Sequence, residues 1–151
     1  MKGSSYVRFF AMIITSTLVM LALMYSTVYA ADHIWWSSTK AFMAVYMGAA
    51  MAVVMLAFML GMYTDAKKNV AIFAGAAVLF AGGLWLARSQ ETVQDVAWMK
   101  AMIPHHSIAI LTSTRAEIRD PRVRQLADEI IEAQRREIAE MEALIADIEN
   151  E

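Results

Sequence analysis

Residues 41–63, AFMAVYMGAAMAVVMLAFMLGMY, carry no charged side chain, and the uncharged run from Lys40 to Asp65 is 24 residues long. A helix needs about 20 apolar residues to cross a hydrocarbon core of about 30 Å. Two more runs flank it, with 23 uncharged residues between Arg8 and Asp32 and 19 between Lys68 and Arg88. The expectation is three membrane spans at about 8–29, 41–63 and 69–88. Trp35, Trp36 and Trp85 fall at span ends, where an interfacial aromatic belt would place them.

The rest of the chain differs in charge. Residues 1–88 hold six basic and two acidic side chains, whereas residues 89–151 hold seven basic and thirteen acidic. The division expected is a membrane anchor at 1–88 and a water-facing segment at 89–151. An acidic segment argues against nucleic acid as a partner, because that needs a basic face. With no cysteine in the chain, disulfides, thiolate metal sites and cysteine nucleophiles are excluded. Lys2 and Arg8 put the N-terminus inside, and Lys67 and Lys68 put the loop between spans two and three inside. The acidic segment is then expected outside the cytoplasm of a bacterial inner membrane. Val28-Tyr29-Ala30 also resembles a signal-peptide cleavage site, but the apolar run before it is long for a leader, so the first span reads as retained.

Two features mark the spans. Ala44, Gly48 and Ala52 in the second and Ala71, Gly75 and Gly82 in the third form small-residue rows that permit close helix approach. Met43, Met47, Met51, Met55 and Met59 recur every four residues, which drifts about 40° per step around a helix. That row cannot face one pore, and it reads as flexible apolar filling rather than an ion conduit.

After Arg88 the pattern is amphipathic helix to about Ile118, with Thr92 or Ser89 as its cap. Arg119-Asp120-Pro121 is a break, with Asp120 suited to an N-cap and Pro121 to a first helical position. A second helix follows to about Glu149, and so short a turn makes the two antiparallel. The expected seam of the second helix is Val123, Ala127, Ile130, Gln134, Glu137, Met141, Leu144 and Ile148. On the first, Asp95, Met99, Met102 and His106 share one face, and His105 lies about 100° away. Folding the hairpin about residue 120 sets Met99 opposite Met141, Met102 opposite Ile138 beside Glu137, and His106 opposite Gln134. Thioethers and imidazoles in one slab favour copper, Cu(I) above Cu(II), over hard cations.

The blocks Asp95-x2-Trp98-Met99-x2-Met102-Ile-Pro-His105-His106-x2-Ala109 and Gln134-x2-Glu137-Ile138-x2-Met141 resemble the DUF305 family of ferritin-like, copper-associated bacterial proteins. The resemblance covers about residues 93–145. It implies an extracytoplasmic helical domain that handles copper through Met and His. Carried over position by position, the ligands are Met99, Met102, His105, His106 and Met141, with Asp95, Gln134 and Glu137 as supporting polar positions.

The expected fold is therefore all-α: transmembrane helices followed by an outward-facing antiparallel hairpin. A single large aromatic, Trp98, in 63 residues is little with which to stabilise an isolated pair of helices. A homo-oligomer completing a ferritin-like four-helix bundle is expected. The leading function is a membrane-anchored copper-binding protein for sequestration, tolerance or delivery. The alternative is a metal-free oligomerisation module or accessory subunit of a membrane complex. No nucleophile or substrate pocket is legible, so an enzyme is not expected.

Overall fold

In the computed structural model, which describes residues 2–150, every regular element is helical. Five α-helices run α1 Lys2–Leu23, α2 Ser38–Phe58, α3 Ala66–Ser89, α4 Asp95–Arg115 and α5 Pro121–Asn150, with a short 3-10 turn at Ala31–His33. Three stretches, Ser5–Leu23, Ser38–Phe58 and Ala66–Ser89, are long and apolar enough to cross a membrane. The first helix stops six residues short of the expected end of its span. Residues 24–38 instead join α4 and α5 in one compact unit, while 1–23 and 39–92 form the other.

In the unit of α1–α3, Phe9 and Leu56 are fully buried with Tyr6, Ala52 and Tyr63, and Met55 and Met59 pack against them as filler. The row on α2 packs as small residues should: Ala44, Gly48 and Ala52 are buried, and a methyl group at Gly48 would collide with Thr17. On α3 the close approach falls elsewhere than expected. Asn69, Ala76 and Gly83 are its buried residues, and a methyl at Gly83 would stand 3.2 Å from Tyr46. Gly75 and Gly82 have no atom within 4 Å of where a side chain would begin. Seven residues make nearly two whole turns, so 69, 76 and 83 share a stripe, whereas 71, 75 and 82 lie about 100–180° around the helix from it. Beside this stripe the Tyr6 hydroxyl donates to Asn69 Oδ1 (2.8 Å), and Asn69 Nδ2 donates to the Tyr63 carbonyl (2.6 Å). Asp65 caps α3 by accepting from the Lys68 N–H, and this bond foremost holds its carboxyl below the ordinary value.

The second unit is built on α4 and α5. Arg124 donates to the Ser113 carbonyl near the turn, His106 pairs with Glu137 in the middle, and Lys100 pairs with Glu149 at the far end. Rising numbers on one helix meet falling numbers on the other, so the helices run antiparallel. Asp120 accepts from the Arg122 N–H as an N-cap and Pro121 opens α5. The start of α4 differs from the expected capping box: Gln94 is the N-cap and its side chain makes no cap bond. The core joins Met99, Ile103, Ile110, Ile138, Met141 and Ile145. The α5 seam is thus Ala127, Ile138, Met141 and Ile145, with Ile131 packed against the cluster. Val123, Leu144 and Ile148 stay more than 40% exposed. Ala127 and Met141 are common to the expected and the observed seam. At Ile130/Ile131 and Leu144/Ile145 the chain offers two adjacent apolar residues, and α4 meets the later one, whereas Val123 and Ile148 stand between charged neighbours and stay exposed.

Residues 24–38 lie along this pair as a strap. Trp35, expected in an interfacial belt, packs against the core instead, with Lys100 Nζ 5.6 Å from its ring centre. Trp36 and Trp85 remain exposed.

Candidate functional site

His106 sits on the middle turns of α4 with both ring nitrogens engaged. Nδ1 lies 3.0 Å from the Met102 carbonyl oxygen and Nε2 lies 2.8 Å from Glu137 Oε2 on α5. A carbonyl only accepts, so Nδ1 donates there, and the tautomer and ring plane are fixed from behind. Pro104 stands inside α4 just before this turn and has no N–H to give, which loosens the backbone locally. On the other side Gln134 Nε2 donates to the same Glu137 oxygen at 3.4 Å. The imidazole is mostly shielded, with 14% of its side chain exposed, whereas Glu137 is 44% exposed. The pair therefore opens to solvent on the carboxylate side.

A carboxylate oxygen accepts and does not donate. A cation between Nε2 and Oε2 is what makes their approach favourable, and that cation is either a proton or a metal ion. An imidazole whose far N–H is held by a backbone carbonyl is the arrangement in which metal-bound histidines are oriented.

The expected slab resolves into levels along the helices. Asp95 is exposed at the first position of α4, eleven residues and about 16 Å along the axis from His106, beyond reach. Met99 and Met141 are 5% and 7% exposed and belong to the apolar core. Met99 lies two turns, about 10 Å, from His106. Met102 lies one turn away and packs half-buried against that core. His105 is exposed, its ring centre 6.3 Å from that of His106. Among the described residues no group of three His, Asp or Glu side chains converges. His106 Nε2 and Glu137 Oε2 are the two potential donor atoms that the structure brings together here.

The other flank of α4 carries a second polar cluster, with no counterpart in the sequence reading. Ser107 is fully buried, accepts from the Tyr29 N–H at 2.6 Å and stands 2.8 Å from His33 Nδ1. The hydroxyl can accept the one and donate to the other. Arg135 on α5 lies over the Tyr29 ring at 5.9 Å. The signal available in sequence was the run Ile103, Ser107 and Ile110, which puts a hydroxyl in an apolar stripe where it needs a partner.

Residues 85–149 match DUF305, a domain of unknown function. An uncharacterized protein of Acanthamoeba polyphaga mimivirus, L153, is 39% identical over 64 residues, which is 41% of this chain and 42% of that protein. The chain thus spans less than half the length of this curated relative. No solved structure matches the chain. The DUF305 match contains α4, α5 and the His106–Glu137 pair, and it leaves out α1, α2 and the strap.

Proposed function

We propose that the chain is a membrane-anchored copper-binding protein that sequesters copper or hands it on, without catalysing a reaction. The observation that carries this reading is the His106–Glu137 pair at 2.8 Å, with the imidazole braced by the Met102 carbonyl. His106 Nε2 and Glu137 Oε2 would hold the metal ion. Met102 is the thioether within one turn and His105 is the solvent-side imidazole. Met99 and Met141 stand behind them as core residues that a small opening would expose. Thioether and imidazole suit Cu(I), while the carboxylate adds a donor that suits Cu(II). The spans at α1–α3 would anchor the site, and the basic residues of the first half argue for α4 and α5 lying outside the cytoplasm of a bacterial inner membrane.

Self-association is part of the reading. Trp98, Leu126, Leu144 and Ile148 are 43–56% exposed, and wheel positions put them on the flank away from the strap. A second copy of the pair, covering that flank, would complete a four-helix bundle of ferritin-like form. The metal-free alternative, an oligomerisation module, draws on the same exposed residues.

The test is elemental analysis of the detergent-purified full chain after incubation with copper and passage over a desalting column. The parent should retain copper and His106→Ala should lose it. Retention of none by the parent leaves the oligomerisation module as the function.

A further inference from the structure

The α1–α3 unit contains an apolar groove of about 570 Å³ that its own side chains leave open. Phe10, Ile14 and Leu18 of α1 form one wall, Gly48 and Ala52 of α2 the floor, and Ala71, Gly75 and Leu79 of α3 the other wall. Gly75 has nothing within 4 Å of the place where a side chain would begin, so packing within this chain does not account for its small size. We propose that this groove binds one acyl chain of an anionic phospholipid, whose headgroup is met by Lys68 and Lys67.

Size argues for a hydrocarbon chain. The walls run over residues 10–18 and 71–79, eight steps each, or about 12 Å at about 1.5 Å per residue. A volume of about 570 Å³ over that length is a cross-section of about 50 Å². The groove belongs to helices long and apolar enough to span a membrane, where acyl chains are the abundant apolar solute.

Charge argues for the headgroup. Lys68 precedes Ala71 by three residues and Ile72 by four, so it shares their face and stands one turn beyond the end of the groove. Its Nζ lies 5.1 Å from the Tyr6 ring centre and 3.4 Å from Asp65 Oδ2, and half its side chain is exposed. Asp65 offsets one of the two lysine charges, and exposed Lys67 leaves the mouth net positive. Basic side chains at a span end attract anionic lipids, and here they sit directly beyond an apolar slot.

The full chain is reconstituted into nanodiscs of phosphatidylcholine and phosphatidylglycerol in equal amounts, released, and weighed by native mass spectrometry. The parent should keep one phosphatidylglycerol per chain. Gly75→Leu, which fills the groove, and the double variant Lys67→Gln/Lys68→Gln, which leaves the groove intact, should each reduce that retention at least fivefold. Val70→Leu, on an exposed face of α3, should retain it like the parent. The proposal is overturned if the parent keeps no lipid, if it keeps phosphatidylcholine equally well, or if both variants match the parent. A disulfide-linked dimer of Gly75→Cys in oxidised membranes would overturn it too, because a second copy would then occupy the groove.

Discussion

His106 and Ser107 are neighbours in sequence, and the 100° between them on α4 sends them to opposite flanks of the same helix pair. On one flank Ser107 is sealed under the strap, with Tyr29 and His33 closing on its hydroxyl. On the other His106 faces Glu137, and the carboxylate opens to water. Both side chains are polar and nearly shielded, but only one cluster is closed. At Ser107 donors and acceptors match within the chain. At His106 two groups meet that need a cation between them. A closed polar cluster fixes structure, and one open to water leaves a carboxylate oxygen for a further partner, which is the basis of the proposal.

The largest effect should come from the residue that serves both flanks. Ile103 is fully buried in the core between them, so Ile103→Ala should cost about 2–5 kcal/mol. Chemical denaturation of the full chain in detergent, followed by the helical signal of the second unit, would measure this. Loss of less than about 1 kcal/mol would mean that the two flanks do not share a core.

Next comes the closed flank alone. Ser107→Ala leaves the Tyr29 N–H and His33 Nδ1 without their partner, which costs about 1–3 kcal/mol for a buried unpaired group. Copper binding should be unchanged, since the proposed metal donors lie on the other side. A loss of copper with Ser107→Ala would join the two flanks into one site.

The open flank should respond the other way. Met102→Leu keeps approximate volume and helix propensity, so helicity should hold while Cu(I) affinity falls about tenfold in a chelator competition. Met141→Leu should lower it less, because Met141 stands behind the site. Equal affinities for parent and Met102→Leu would remove sulfur from the coordination.

The smallest effect concerns the turn that joins α4 and α5. Hydrogen bonds from the Arg122 side chain, then from its backbone N–H, hold the Asp120 carboxyl below its ordinary value of 3.8. A depressed folded value means that the stabilisation is complete above the ordinary value and is lost as pH falls through the depressed one. Asp120→Ala should therefore flatten the acid limb of the denaturation profile below about pH 4 and leave neutral stability slightly lower. An unchanged acid limb would mean that the cap does not hold α5.

Much of this contrast was legible in the sequence, and the limits have physical causes. The three apolar helices follow from charge-free runs, and the break at Asp120-Pro121 follows from capping chemistry. The pairing of α4 with α5 follows from equal rise about one turn, which is why His106 could be set opposite Gln134 and found on Glu137, one turn further along. The seam was misassigned at Ile130 and Leu144 because each has an apolar neighbour, and helical period alone does not choose between adjacent residues. The strap was illegible because Met24–Ser38 has no period, and its bond to Ser107 spans 78 positions. Glu137 could be counted a supporting group because spacing gives faces and not distances, and the distance of 2.8 Å brings it into direct contact with the imidazole.

The central claim is that copper sits between His106 and Glu137 on the open flank. X-ray absorption of the copper-loaded full chain tests it most directly, with parent, His106→Ala and Ser107→Ala measured side by side. The account predicts a nitrogen or oxygen shell with a sulfur contribution in the parent. It predicts the same spectrum for Ser107→Ala, and for His106→Ala a fall in bound copper with weaker imidazole scattering from what remains. Copper content and imidazole scattering undiminished in His106→Ala, or imidazole scattering lost in Ser107→Ala, would contradict it.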